Sequence, residues 1–278
     1  IYWRADIIIL ILYLLIMKFI KKFMKKNDFY FDNWELDVLG IHNWRSNFSA
    51  FKSYFEYIKK NHKKIDGDIL EFGVFNGASL LATAIILKKL NSKKKVYGYD
   101  SFKGLINFKK EDNFNNFNIQ FKKNIISRKN LIDHKKLFNL KKLILNKKID
   151  PKNISGSNNF TKVDLNLLKK KIKFLKLDNI ILIKGDYKRT LKRKNIKFNK
   201  LMAVNVDCDL YKSYEIIFDK IKPYLSKGCF MHLDEYYSLK FPGPRNIIDK
   251  FIKNNKEFKL KVYNQKYCFP RYYLVKKK

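Results

Sequence analysis

Apolar residues follow two rhythms along this chain. Short unbroken runs end in an acid or a glycine, and longer stretches carry apolar side chains at every third or fourth position. The first rhythm predicts buried strands and the second helices packed on them. Residues 203–235 hold both. An apolar run over 203–206 ends at Asp207, and Ile216, Ile217, Ile221, Tyr224 and Leu225 give helical spacing over 214–225. After Gly228 a second run over 229–233 ends at Asp234 and Glu235. A helix crossing between two strands makes them parallel, so both carboxyl ends finish on one rim. If the strands are neighbours, about 5 Å apart, Asp207, Asp234 and Glu235 meet on the rim where open α/β sheets bind ligands. Three adjacent carboxylates repel unless a proton or cation intervenes, and a hard metal ion suits them. The plainer alternative is a set of solvated loop acids and helix caps.

The same alternation predicts the remaining elements. An amphipathic helix over 47–65 turns Phe48, Phe51, Phe55 and Ile58 to a core. The preceding segment 34–44, with His42, is placed to cover a pocket, with the histidine structural rather than catalytic. A strand at 69–72 runs through Glu71 into Gly73 and Gly77, and Ser79 precedes the apolar helix 80–90. Glycines permit a tight turn and close backbone approach, and the helix start offers free N–H groups. Phe75 stands where a dinucleotide fingerprint has its middle glycine, which disfavours a pyrophosphate. A carboxylate beside the loop suits a cationic or amino-bearing ligand. The strand 95–99 ends at Asp100 and Ser101, and an acid there can bind a ribose diol; the alternative is a helix cap. The strand 179–183 ends in Gly185-Asp186-Tyr187. Asp186 can accept from an adenine amino group and Tyr187 can stack on a ring, with ordinary loop chemistry the alternative. Residues 106–159 lack a clear period and read as a lid or insertion, with one helix at 131–145. Helical periodicity resumes over 160–175, another helix spans 246–253, and strands 260–263 and 272–275 suit a closing antiparallel hairpin.

Composition changes this picture little. The 278 residues are 46% hydrophobic, enough for a proper core. The formal charge of +36 invites a nucleic-acid partner, but 54 of the 61 cations are Lys. Phosphate and base-edge recognition favours the guanidinium fork, so a nucleic-acid partner is disfavoured against a basic solvated surface. Cys208, Cys229 and Cys268 form no disulfide framework and suit a reducing cytoplasm. Residues 7–17 are continuously apolar, a run extended to Ile20 with one Lys and followed by Lys21, Lys22, Lys25 and Lys26. They are too short to cross a bilayer as a helix. They read either as an anchor or membrane-surface contact through residues 7–26, at the inner face, or as a docking helix of a homo-oligomer. The expected organisation is an N-terminal segment at 1–27, a helical cap at 28–66 and an α/β domain at 67–278.

Taken in order, these motifs resemble class I S-adenosylmethionine-dependent methyltransferases, and more narrowly the macrocin O-methyltransferase family, which methylates sugar hydroxyls. The matching pieces are Ile69-Leu70-Glu71-Phe72-Gly73-Val74 with Gly77 and Ser79; Tyr99-Asp100-Ser101-Phe102 with Gly104-Leu105; Lys184-Gly185-Asp186-Tyr187 with Thr190-Leu191; Val206-Asp207-Cys208-Asp209-Leu210-Tyr211 with Ser213; Asp234-Glu235-Tyr236; and Pro242-Gly243. They cover about two-thirds of the chain. The resemblance implies a doubly wound, mostly parallel seven-stranded Rossmann-like sheet with a C-terminal antiparallel hairpin and an N-terminal helical extension. It implies that Glu71, Gly73, Gly77, Ser79, Asp100, Ser101 and Asp186 surround S-adenosyl-L-methionine, and that Asp207, Asp234 and Glu235 hold Mg2+. Where the family has Asp-Asp-Tyr, this chain has Asp234-Glu235-Tyr236. A hard cation lowers the pKa of a bound alcohol and fixes it for attack on the sulfonium methyl. Asp207 is then the catalytic candidate, as metal ligand and proton acceptor, with Asp209 in reserve, on the same face as Asp207 by side-chain alternation if the strand continues. The expected acceptor is a sugar-containing small molecule or polysaccharide precursor. Catechol-like or lipid-linked acceptors, and a non-catalytic RNA-binding module on the same fold, are the alternatives.

Overall fold

The computed structural model describes residues 31–155, 157–193, 198–263 and 269–277. The apolar segment at 7–20 with its lysines, and Cys268, lie outside the described residues. Seven strands form one sheet: β1 Asp68–Phe72, β2 Val96–Asp100, β3 Ile180–Lys184, β4 Leu201–Val206, β5 Leu225–Leu233, β6 Phe258–Tyr263 and β7 Arg271–Lys276. Their order is β3-β2-β1-β4-β5-β7-β6. The first five are parallel, β7 runs antiparallel to β5, and β6 antiparallel to β7. The order reverses between β1 and β4, which opens a crevice at their carboxyl ends.

Alternation along the strands divides the core into two layers. On one side Ile69, Val96, Ala203 and Phe230 pack with four helices: α1 (Asn33–Val38), α2 (Lys52–Asn61), α3 (Ala78–Lys89) and, after two insertion helices, α6 (Leu165–Phe174). The helix α3 is buried from Ser79 to Leu87, as a helix apolar on every side must be. On the other side Leu70, Phe72, Val204 and Met231 pack with α8 (Tyr211–Ile221) and α9 (Gly243–Asn254). The short α7 (Tyr187–Thr190) follows β3. The described part of the expected cap, 31–66, therefore shares the main core.

Within 106–159 the described residues carry two α-helices. These are α4 (Asn115–Lys122) and α5 (Arg128–Leu145), the latter capped by Ser127 Oγ, which accepts from the Asn130 N–H. Gln120 Nε2 donates to Pro242 O at 2.8 Å. Buried Asp112 accepts from the Tyr211 N–H at 2.8 Å. These bonds pin the insertion to the start of α9 and to α8.

Three sequence expectations need correction. The helix expected over 47–65 begins only at Lys52, so Phe48 precedes it and is 70% exposed instead of packing in the core. The helix expected to reach Leu225 ends at Ile221, because Pro223 cannot continue it; β5 starts at Leu225. The strand β4 ends at Val206, and Asp209 takes a left-handed φ of 63°, so strand alternation does not place its side chain. Among the described residues no helix is long and apolar enough to cross a membrane.

Candidate active site

At the switch point the chain leaving β1 turns through Gly73, whose φ is +87°. A Cβ there would lie 1.6 Å from the Asp207 carbonyl oxygen, so only glycine lets the β1 and β4 loops meet this closely. Gly77 caps α3 at φ +84°, and a Cβ on it would strike Leu168 Cδ1 at 2.4 Å. Gly73 lines a cleft holding ≈ 870 Å³ of empty space, part of it open to solvent, while Gly77 packs against α6 outside it.

Of the residues singled out in the sequence, Gly73, Asp100, Ser101, Asp186, Tyr187 and Asp207 line this cleft. Asp100, at the end of β2, accepts from the Phe75 N–H at 2.9 Å through Oδ2 and from the Phe102 N–H at 2.6 Å through Oδ1. Each oxygen keeps a lone pair for a ligand hydroxyl. Asp186 caps α7, accepting from the Lys188 N–H at 2.7 Å, and its other oxygen accepts from Asn107 Nδ2 at 2.7 Å. Tyr187 meets Phe72 edge-on at 5.4 Å. Phe75, Leu105, Ile106 and Phe160 complete an apolar wall.

Glu71, Gly77 and Ser79 do not line the cleft. Glu71 is fully buried in β1, where Oε1 accepts from Ser79 Oγ at 2.8 Å and Oε2 has no partner. Burial pushes its carboxyl up to about 8, against the opposing pull of Ser79 and Asn205. Its role is thus set by the interior. Glu71 on β1 pairs in register with Asn205 on β4, which pairs with His232 on β5. All three are 0% exposed, and both Asn205 side-chain polar atoms and both His232 ring nitrogens lack a hydrogen bond within 3.5 Å, with His232 Nε2 standing 3.8 Å from Asp234 Oδ1. This buried polar row crosses the sheet below the cleft, covered by Phe51 and Tyr54 of the cap, whose rings lie 4.9 and 6.2 Å from His232. The sequence signal was a polar residue inside each apolar strand, Asn205 within Ala203–Val206 and His232 within Cys229–Leu233.

Asp207, Asp234 and Glu235 converge. One carboxylate oxygen from each lies within 4.8 Å of the others. Burial, then the charges of Asp234 and Asp209, raise the Asp207 carboxyl well above the ordinary range. Glu235 is raised in the same way, by burial and then Asp207, and the Tyr214 hydroxyl lies within hydrogen-bond distance of both Glu235 Oε2 and Val206 O, its one proton serving either acceptor. Burial alone would also raise Asp234, but the His232 ring and the Arg271 guanidinium outweigh it and hold this carboxyl below the usual range. Arg271 Nη1 donates to Asp234 Oδ1. Asp209 lines the cleft, and burial followed by the charge of Asp234 lifts it to about 7.

Four carboxyls share this corner with Arg271 and Lys240 as the neighbouring cations. In their ionised forms, four carboxylates against two cations leave a negative surplus on hard oxygen donors that fits one divalent ion. Neither Arg271 nor Tyr214 could be read from local sequence, because each reaches its acid from a distant element. His42, by contrast, is exposed, with its ring 4.9 Å from that of Phe51.

Compared by sequence, the chain matches no family model and no curated protein. Compared by structure, it is similar to the O-methyltransferase NovP, with 16% identity over 81% of this chain and 80% of that one and a TM-score of 0.55. It is also similar to CalS11, a calicheamicin methyltransferase, with 17% identity over 82% and 77% and a TM-score of 0.53. The seven-stranded sheet, its flanking helices and these likenesses give the chain the α/β Rossmann-like methyltransferase fold.

Proposed function

We propose that this chain transfers the methyl group of S-adenosylmethionine to a sugar hydroxyl of a glycoside or polysaccharide precursor, with Mg2+ held by Asp207, Asp234 and Glu235. The observation that carries this reading is that Asp207 belongs both to the cleft wall and to the carboxylate trio. The NovP likeness supports O-methylation, and the motif resemblance to the macrocin O-methyltransferase family supports a sugar acceptor. Asp100 would accept from the ribose diol, and Asp186 from the adenine amino group in place of Asn107. The acidic lining suits the sulfonium and ammonium charges of the methyl donor. A divalent ion on the trio would lower the pKa of an acceptor hydroxyl and fix its oxygen. Asp207, as a ligand, holds the trio to the cleft. Asp209, which lines the cleft beside the trio, is placed to accept the hydroxyl proton. The C–O bond forms as the S–C bond breaks, leaving S-adenosylhomocysteine and a methyl ether.

The test is calorimetric binding of S-adenosylhomocysteine, followed by methyl transfer to a panel of sugar hydroxyls with Mg2+ and with a chelator. Binding with chelator-sensitive transfer is expected. Transfer indifferent to chelation removes the metal from the account, and absence of nucleoside binding removes the methyl donor.

A further inference from the structure

The insertion helix α5 has two unlike faces. Its inner face sends Leu137 and Phe138 against Leu105, Phe160 and Leu210, the residues that wall the cleft. Its outer face carries Ile132, Leu140, Leu143 and Ile144, which are 40%, 57%, 78% and 69% exposed. Around them stand Lys135, Lys136, Lys142, Lys147 and Lys148, all exposed. The one acid between residues 128 and 148 is Asp133, which is paired with Lys129 at 2.6 Å. Large aliphatics on the solvent side of a helix are unfavourable unless something covers them. The flanking charge restricts what that can be. A second copy of a chain with formal charge +36 would bring like charge to like. A basic apolar helix face instead matches an anionic lipid surface, into which the aliphatics insert while the lysines meet headgroups.

We infer that the outer face of α5 docks this protein on an anionic membrane surface, which places the roof of the cleft at the lipid boundary. The inference does not rest on the methyltransferase reading. It names a surface distinct from residues 7–26.

The test uses the full chain, so that any contribution of residues 7–20 is common to every variant. Sedimentation with phosphatidylcholine vesicles, with and without phosphatidylglycerol, measures the partition coefficient. The wild type is expected to bind the anionic vesicles and to lose binding as salt rises. Leu140→Ser/Leu143→Ser/Ile144→Ser should bind about 100-fold more weakly, from the apolar surface no longer immersed. Lys135→Glu/Lys136→Glu/Lys142→Glu should lose a similar factor, about fivefold per lysine removed. All substituted side chains are exposed, and unchanged melting temperatures show that the variants fold. Equal partitioning of all three proteins overturns the inference, as does a wild type that ignores anionic vesicles. A wild type that dimerises without lipid, and whose serine variant is monomeric, shows that a second copy covers the face and overturns it too.

Discussion

Replacing Glu71 by Gln probes the buried polar row directly. Glu71 is 0% exposed, and its carboxyl is raised from 4.5 to about 8, chiefly by burial. The folded chain therefore holds a proton that the unfolded chain has released across that interval. The sign follows: the contribution of this group is most favourable below about pH 4.5 and is lost as pH climbs to about 8. Each pH unit costs about 1.4 kcal/mol, so Glu71 removes about 3 kcal/mol between about pH 5 and about pH 8. Gln keeps an acceptor for Ser79 Oγ and carries no charge to titrate. Urea denaturation of the metal-free protein at the two pH values measures the effect. Asp207, Asp209 and Glu235 are also raised and slope the same way in both proteins, so the difference between them reports Glu71 together with its smaller charge coupling to Asp207. Wild type should lose about 3 kcal/mol more than Glu71→Gln over the interval. Equal losses would refute the claim that Glu71 is protonated inside the sheet at neutral pH.

Gly73→Ala should destabilise by about 4 kcal/mol or more, since both the positive φ and the 1.6 Å approach to Asp207 must be relieved by moving backbone; a denaturation midpoint near wild type contradicts this. Asp207→Asn should stabilise the metal-free protein at about pH 8, by about 1 kcal/mol or more as a repelled buried charge is removed, while methyl transfer falls at least about 100-fold. Retained transfer would exclude Asp207 from the chemistry. Asn107→Ala frees Asp186 and should tighten S-adenosylhomocysteine binding up to about tenfold, the worth of one competing hydrogen bond; weaker binding in calorimetry would make Asn107 part of the nucleoside site instead.

The strands were legible because burial on both faces writes them as unbroken apolar runs, as at Ala203, Val204 and Val206 or at Phe230, Met231 and Leu233. The acids closing those runs were legible for the same reason, and parallel pairing brings Asp207 and Asp234 together. What local pattern could not carry was register. Asn205 and His232 interrupt their strands singly, and only the alignment of β1, β4 and β5 makes one row of them with Glu71. The Glu71 carboxyl looked like cleft chemistry because it precedes the glycine turn, yet its side chain points to the α3 side and serves Ser79. The helix α4 escaped because its Asn-rich sequence has weak helical preference; its contacts through Phe117 and Gln120 hold it instead. Phe48 kept the spacing of a helix that begins after it.

The central claim is that Asp207, Asp234 and Glu235 bind one divalent ion beside the nucleoside cleft. Anomalous scattering from a crystal grown with Mn2+ and S-adenosylhomocysteine tests it most directly. A single manganese peak touching an oxygen of each of the three residues, with the nucleoside between Asp100 and Asp186, is the predicted result. A nucleoside bound in the cleft with no metal peak at the trio would contradict it.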